Sequence, residues 1–142
     1  MIPRLKGRLR QAASVCSILS DWAANRADVD GLLLIGSYAR ETATMSSDVD
    51  LVLLTTSPQS YLDGAELGRV LGRGSNLIRE AEWGPLAERR FRLRSGLVVE
   101  VGVALPAWAS APLDAGTARV LRDGHRILFD PRGICAEAVR TI

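Results

Sequence analysis

Two short apolar runs, "GLLLIG" at 31–36 and "VDLVLL" at 49–54, constrain the fold more than any other feature of the chain. The first is bounded by glycines, and a run of that length suits a buried strand better than a helix. The second continues as "VDLVLLTTSP" and reads as another strand. Asp48 and Asp50 stand at its mouth. Side chains two apart on a strand share a face, so these carboxylates are expected within about 7 Å of each other. Such neighbours repel and raise one another's pKa unless a cation or arginines offset them. A hard divalent ion meets that need with carboxylate oxygens and keeps water and phosphates as its remaining ligands, which makes half of a phosphoryl-transfer site. For two acids alone, a polar strand start facing solvent is the plain alternative.

Elsewhere the pattern alternates between helix and strand. Leu5, Leu9, Ala12, Cys16, Leu19 and Ala23, with Val15 and Trp22 beside them, follow helical spacing from Leu5 to about Ala24. Arg4, Lys6, Arg8 and Arg10 near its start read as a solvated surface. Ser57 and Pro58 suit the N-cap and first position of a helix running to about Leu71, after which glycines 68, 72 and 74 are expected to open a loop. They form no GxGxxG, and no Gly-Lys-Ser or Gly-Lys-Thr follows, so a P-loop or dinucleotide fingerprint is absent. From Leu77 to Leu105, "LIREAEWG", "LAERRFRLR" and "LVVEVGVAL" read as long strands. Asp114 can cap a helix ending near Gly124, "RILFD" is a short strand, and "DPRG" turns into a last helix from about Ile134.

The 142 residues are expected to form a single domain, 1–142. With 47% apolar and 24% charged residues the composition is that of a globular chain, and no apolar run approaches the roughly 18 residues of a membrane span. The basic start, "MIPRLKGRLRQAASVCSIL", interleaves apolar residues with charge and lacks the continuous stretch of a signal peptide, so a cytoplasmic location without a membrane partner is expected. A net charge of +2 gives no large field, and no nucleic-acid partner is expected from it. Cys16 and Cys135 lie outside any CxxC, and with one histidine they supply neither a disulfide framework nor a zinc site. Both read as reduced, half-buried packing residues. His125 follows Asp123-Gly124, a helix stop, and reads as part of a surface loop rather than as an acid–base group.

Upstream of the acidic pair, Gly36 and Ser37 follow a buried strand and precede a short helical segment. They offer backbone N–H groups and a hydroxyl to phosphate oxygens, which a bulkier side chain at Gly36 would obstruct. With them the run "GSYARETATMSSDVDL" resembles the nucleotidyltransferase family of the polymerase-β superfamily, in particular its minimal members. Gly36, Ser37, Ala39, Arg40, Ala43, Ser47, Asp48 and Asp50 match that pattern without a gap, while Glu41 stands where the family has glycine. The resemblance implies an α/β fold with a mixed, twisted sheet and helices packed mainly on one side. It also implies a third carboxylate on a later strand. Glu100, isolated in "LVVEVGVAL", is the candidate, since an acid inside such a strand is costly to bury unpaired. The alternative is that Glu100 merely pairs with an arginine. The later "DGHRILFDPRG" looks like the segment that follows the core in small members of the family.

Strand periodicity adds a register. A three-residue hairpin loop, Arg94 to Gly96 with Gly96 left-handed, pairs Leu93 with Leu97, Phe91 with Val99 and Arg90 with Glu100. Phe91 and Leu93 then share a face with Val99, Val101 and Val103, leaving Arg90, Arg92 and Glu100 on the other. A two-residue loop would set three arginines against the valines, which burial disfavours. Arg90 and Arg92 are thereby placed to bind a triphosphate or to balance the acids, with a solvent-facing position as the alternative.

The resemblance implies nucleotidyl transfer: AMP moved from ATP, or an NMP from another NTP, to an acceptor hydroxyl with release of pyrophosphate. Asp48, Asp50 and Glu100 would hold two Mg²⁺ ions, with Mn²⁺ as the substitute, and serve as the catalytic carboxylates. Gly36, Ser37, Arg40, Ser47, Arg90 and Arg92 would bind the nucleotide. The acceptor is a small molecule or a protein, and assembly with further copies is left open. Two other readings stand beside this one: an antitoxin-type partner of a small helical toxin, and a degenerate nucleotide-binding module.

Overall fold

The computed structural model describes residues 3–142; Met1 and Ile2 of the basic N-terminal run lie outside the described residues. The chain runs α1 (Pro3–Ala24), β1 (Val29–Ile35), α2 (Gly36–Arg40), β2 (Val49–Thr55), α3 (Ala65–Leu71), β3 (Asn76–Trp83), β4 (Leu86–Arg92), β5 (Val98–Ala104), α4 (Ala115–Arg122), β6 (His125–Phe129) and α5 (Ile134–Arg140). The six strands form one sheet in the order β3-β4-β5-β2-β1-β6. The β2–β5 pair is parallel and the other pairs are antiparallel. The apolar runs occupy the adjacent interior strands β2 and β1, where a strand is covered on both faces and has no use for alternating polarity. Among the described residues, no helix is long and apolar enough to cross a membrane.

Alternation along the strands builds two cores. Leu32, Leu34, Leu51, Leu53, Val99, Val101 and Val103 meet Ala12, Val15 and Leu19 of α1 and Leu67 of α3 on one face. Leu33, Val52, Leu54 and Ala104 meet Trp108 of a 3-10 turn, Leu121 of α4, and Cys135 and Ala138 of α5 on the other. The long helix thus lies on one face, as the resemblance implies, and a smaller core of short elements covers part of the second. Asp50 and Glu100 share that second face with Val52 and Leu54, one pleat or more nearer the strand entrances.

Several expectations are corrected. The helix from Ser57 to Leu71 is divided into a 3-10 turn, Pro58–Tyr61, and α3. Ser57 makes no side-chain cap; its N–H donates to Thr55 Oγ1 at 3.0 Å. Asp63 restarts the helix by accepting from the Ala65 N–H at 2.9 Å. Gly68 lies inside α3 rather than in a loop. His125 is the first residue of β6, opposite Ile35, with Nδ1 2.9 Å from the Leu121 carbonyl oxygen, because α4 stops directly against the sheet. Cys16 and Cys135 are buried rather than half-buried, and both are free.

The β4–β5 hairpin has the expected register: Phe91 faces Val99, Arg90 faces Glu100, the Leu93 N–H donates to the Leu97 carbonyl at 2.8 Å, and Gly96 has φ +91°. One arginine does stand on the valine face. Arg89, opposite Val101, is only 5% exposed. Its guanidinium donates to the carbonyls of Leu62 (2.6 Å) and Glu88 (2.8 Å) and lies 3.4 Å from Glu80, so the buried charge is paired and hydrogen-bonded.

Candidate active site

Backbone pairing assembles the site. Parallel β2–β5 pairing places Asp50 beside Glu100, antiparallel β4–β5 pairing places Glu100 beside Arg90, and β1–β2 pairing sets Ile35, and hence the start of α2, beside Asp50. Gly36 then approaches so closely that a Cβ there would lie 2.6 Å from Asp50 Oδ2, in a backbone with φ +73°. No other residue fits that place without displacing the carboxylate. Asp48, two residues earlier, has its Oδ2 3.7 Å from Arg90 Nη2, and the same nitrogen donates to Glu100 Oε1.

Burial pushes Asp50 up to about 8, helped by its hydrogen bond to Glu100 and the charges of Glu100, Asp48 and Glu88. Asp48 is raised by burial and by Glu100, against the opposing pull of Arg90. Burial lowers Arg90, but its hydrogen bond to Glu100 and the charges of Glu100, Asp48 and Glu88 outweigh this and raise it. The cluster is therefore short of positive charge, and its donors are carboxylate oxygens. In kind and number they suit a hard divalent cation.

The remaining candidates scatter. Ser37 lies in the first turn of α2, and its carbonyl accepts from the Thr42 N–H at 2.9 Å. Arg40 turns away and donates to the Asp123 carbonyl at 3.1 Å, tying α2 to the end of α4. Ser47 Oγ accepts from the Thr44 N–H at 2.8 Å and shapes the turn that delivers Asp48. Arg92 is exposed at the end of β4, on Arg90's face. Sequence reasoning missed Glu88, two residues before Arg90 and so on its face. Its Oε1 is buried without a hydrogen-bond partner and its Oε2 accepts from Trp83 Nε1 at 3.1 Å. The period-2 signal was present in the sequence, since Glu88 and Arg90 are two apart on one strand. A cavity of about 760 Å³ lies between α1, α2 and β6 and is lined by none of Asp48, Asp50, Glu88 and Glu100. The polar chemistry belongs to the cluster.

Glu41 tests the motif's one departure. It caps α2 with φ +63° and ψ +36°, the left-handed conformation that glycine adopts freely, while its N–H donates to the Ser37 carbonyl. The turn is kept with a side chain that strains it by about 1 kcal/mol. Glu41→Gly is expected to raise stability by about 0.5–1 kcal/mol, read as a rise of a few degrees in melting temperature. A lower melting temperature would show that the glutamate side chain outweighs the strain.

A mixed sheet presenting carboxylates from two parallel neighbours, with a glycine turn against them, is an arrangement that suits phosphoryl transfer. The nucleotidyltransferase domain family matches residues 15–104, well over half of the chain and every residue of the cluster. The chain belongs to that family, which bears out the resemblance carried by "GSYARETATMSSDVDL". Among solved structures, Cid1 in complex with the UTP analogue UMPNPP aligns with TM-score 0.49 and 14% identity over 67% of this chain and 30% of that one. A crystal structure of the Cid1 poly(U) polymerase aligns with TM-score 0.39 and 14% identity over 70% and 29%. The chain thus spans under a third of the length of these two structures. No curated protein matches it.

Proposed function

We propose that the chain transfers a nucleoside monophosphate, AMP from ATP, to an acceptor hydroxyl with release of pyrophosphate. The observation that carries this reading is the parallel register setting Asp50 beside Glu100, with Gly36 pressed against Asp50, inside the segment matched by the family. Asp48, Asp50 and Glu100 would hold two Mg²⁺ ions, which supply Lewis-acid polarisation of the phosphates and offset the charge of the leaving group. Gly36 keeps the backbone open to the phosphates and Ser37 offers its hydroxyl. Glu100 accepts the proton of the acceptor hydroxyl as its oxygen forms a bond to the α-phosphorus. The bond from the α-phosphorus to the oxygen bridging it to the β-phosphorus breaks, and pyrophosphate leaves with the electron pair. Arg90 and Arg92 meet the extra charge of a triphosphate. Residues 1–142 act as one domain, and the acceptor, a small molecule or a protein, is supplied separately.

The test follows label from α-labelled ATP into the small-molecule and protein fractions of a cell extract, with Mg²⁺. Wild type is expected to transfer label and release pyrophosphate, and Asp48→Asn and Glu100→Gln to lose both. Release of γ-phosphate alone, or undiminished transfer by Asp48→Asn, rejects the reading.

A further inference from the structure

We propose that Arg90 is a built-in counter-ion that closes the acidic cluster of the metal-free chain and must leave it when a divalent cation enters, so that one side chain couples metal entry to triphosphate capture. This rests on the nucleotidyl-transfer reading above and concerns how that site is loaded.

The argument is geometric. One nitrogen of Arg90, Nη2, donates to Glu100 and stands 3.7 Å from Asp48 Oδ2, within ion-pair distance. Among the described residues, no three acidic, histidine or cysteine side chains stand in ligand geometry around a common point. The carboxylates are gathered by the backbone, but Glu100 is bonded to the guanidinium and Asp48 lies within ion-pair distance of it. A guanidinium and a divalent cation cannot both take the same oxygens, since they would repel each other and compete for the same lone pairs. Metal entry therefore breaks the Arg90 contacts with Glu100 and Asp48.

Arg90 has somewhere to go. Its Nε is buried without a partner, so its present position leaves one strong donor unmet. The guanidinium has five N–H donors in a planar fork, and the carboxylates occupy one nitrogen of it. Rotation about the side chain's own bonds, with β4 unmoved, turns that fork toward an anion arriving on the same face of the sheet. A triphosphate brought with the metal supplies such oxygens, in the bidentate geometry arginine favours. Glu100, released from Arg90, turns its oxygens to the cation. The device orders events: a carboxylate that is engaged by Arg90 in the empty site becomes available only as cation and triphosphate arrive.

The experiment measures binding of Mn²⁺ alone to the nucleotide-free protein by electron paramagnetic resonance, for wild type, Arg90→Gln and Asp50→Asn. Arg90→Gln removes the competitor and is expected to bind Mn²⁺ about tenfold tighter than wild type, whereas a merely structural arginine would weaken the site when lost. In titrations with Mn²⁺ present, the same variant is expected to lose most of wild type's preference for ATP over AMP. A variant that melts early without metal is read by its rise in melting temperature on adding Mn²⁺, which must exceed the wild-type rise; a variant that Mn²⁺ does not rescue counts against the proposal. Equal or weaker Mn²⁺ binding by folded Arg90→Gln overturns the coupling alone, provided wild type binds and Asp50→Asn does not. If neither wild type nor Arg90→Gln binds Mn²⁺, the metal-dependent reading itself falls.

Discussion

Asp50→Asn is expected to abolish metal-dependent transfer, a loss on the order of 10³-fold or more, while raising the melting temperature of the metal-free protein at pH 8. The two effects have one cause. Asp50 is held at about 8 by burial and by Glu100, Asp48 and Glu88, against about 3.9 in an unfolded chain. Between those values the folded state keeps a proton that the unfolded state has released, so stability falls as pH rises from about 4 to about 8. The slope has a ceiling of about 1.4 kcal/mol per pH unit. Asparagine carries no charge to repel its neighbours and can still donate to Glu100, so its stability should change little over the same window. Melting curves at pH 5 and pH 8 check this: wild type should drop between them, the variant should stay level, and Mg²⁺ should restore wild type at pH 8. Parallel profiles, or full transfer by the variant, would sink the account.

Gly36→Val should cost both stability and site. The residue sits at φ +73°, and its new Cβ would fall 2.6 Å from Asp50 Oδ2. A β-branched side chain in the left-handed region costs about 1–2 kcal/mol before any clash is counted, and relief comes by pushing the Asp50 carboxylate away from Glu100. The expected result is a melting temperature lower by several degrees together with loss of Mn²⁺ binding in the protein that remains folded. From sequence alone Gly36 reads as a gap left for phosphate; the structure adds a nearer reason, because the glycine makes room for Asp50 itself. Mn²⁺ affinity unchanged in a folded Gly36→Val protein would refute that nearer reason.

Much of the site was legible because its signals are local. The two-residue period of a strand decides which side chains share a face, and that period, with a three-residue turn, is enough to set Arg90 opposite Glu100. The apolar runs at 31–36 and 49–54 read as buried strands, and the structure places them there because they are covered on both faces of the sheet. Motif spacing brought Gly36, Asp48 and Asp50 to the same neighbourhood. What lay outside reach was everything that depends on which strand lies next to which. That β2 and β5 run parallel, and so deliver Asp50 and Glu100 side by side, is a pairing across 50 residues with no local trace. The bulge between Leu77 and Arg79 that turns Arg79 to face Arg90 is set by the neighbouring strand. Arg40 matches the motif yet serves the end of α4, because the fold brings the Asp123 carbonyl within its reach. By itself the sequence determined the faces, the acids and the hairpin, since each follows from residues close along the chain. The tertiary structure alone decided which of those groups meet, because strand order and crossover are settled by burial summed over the whole sheet.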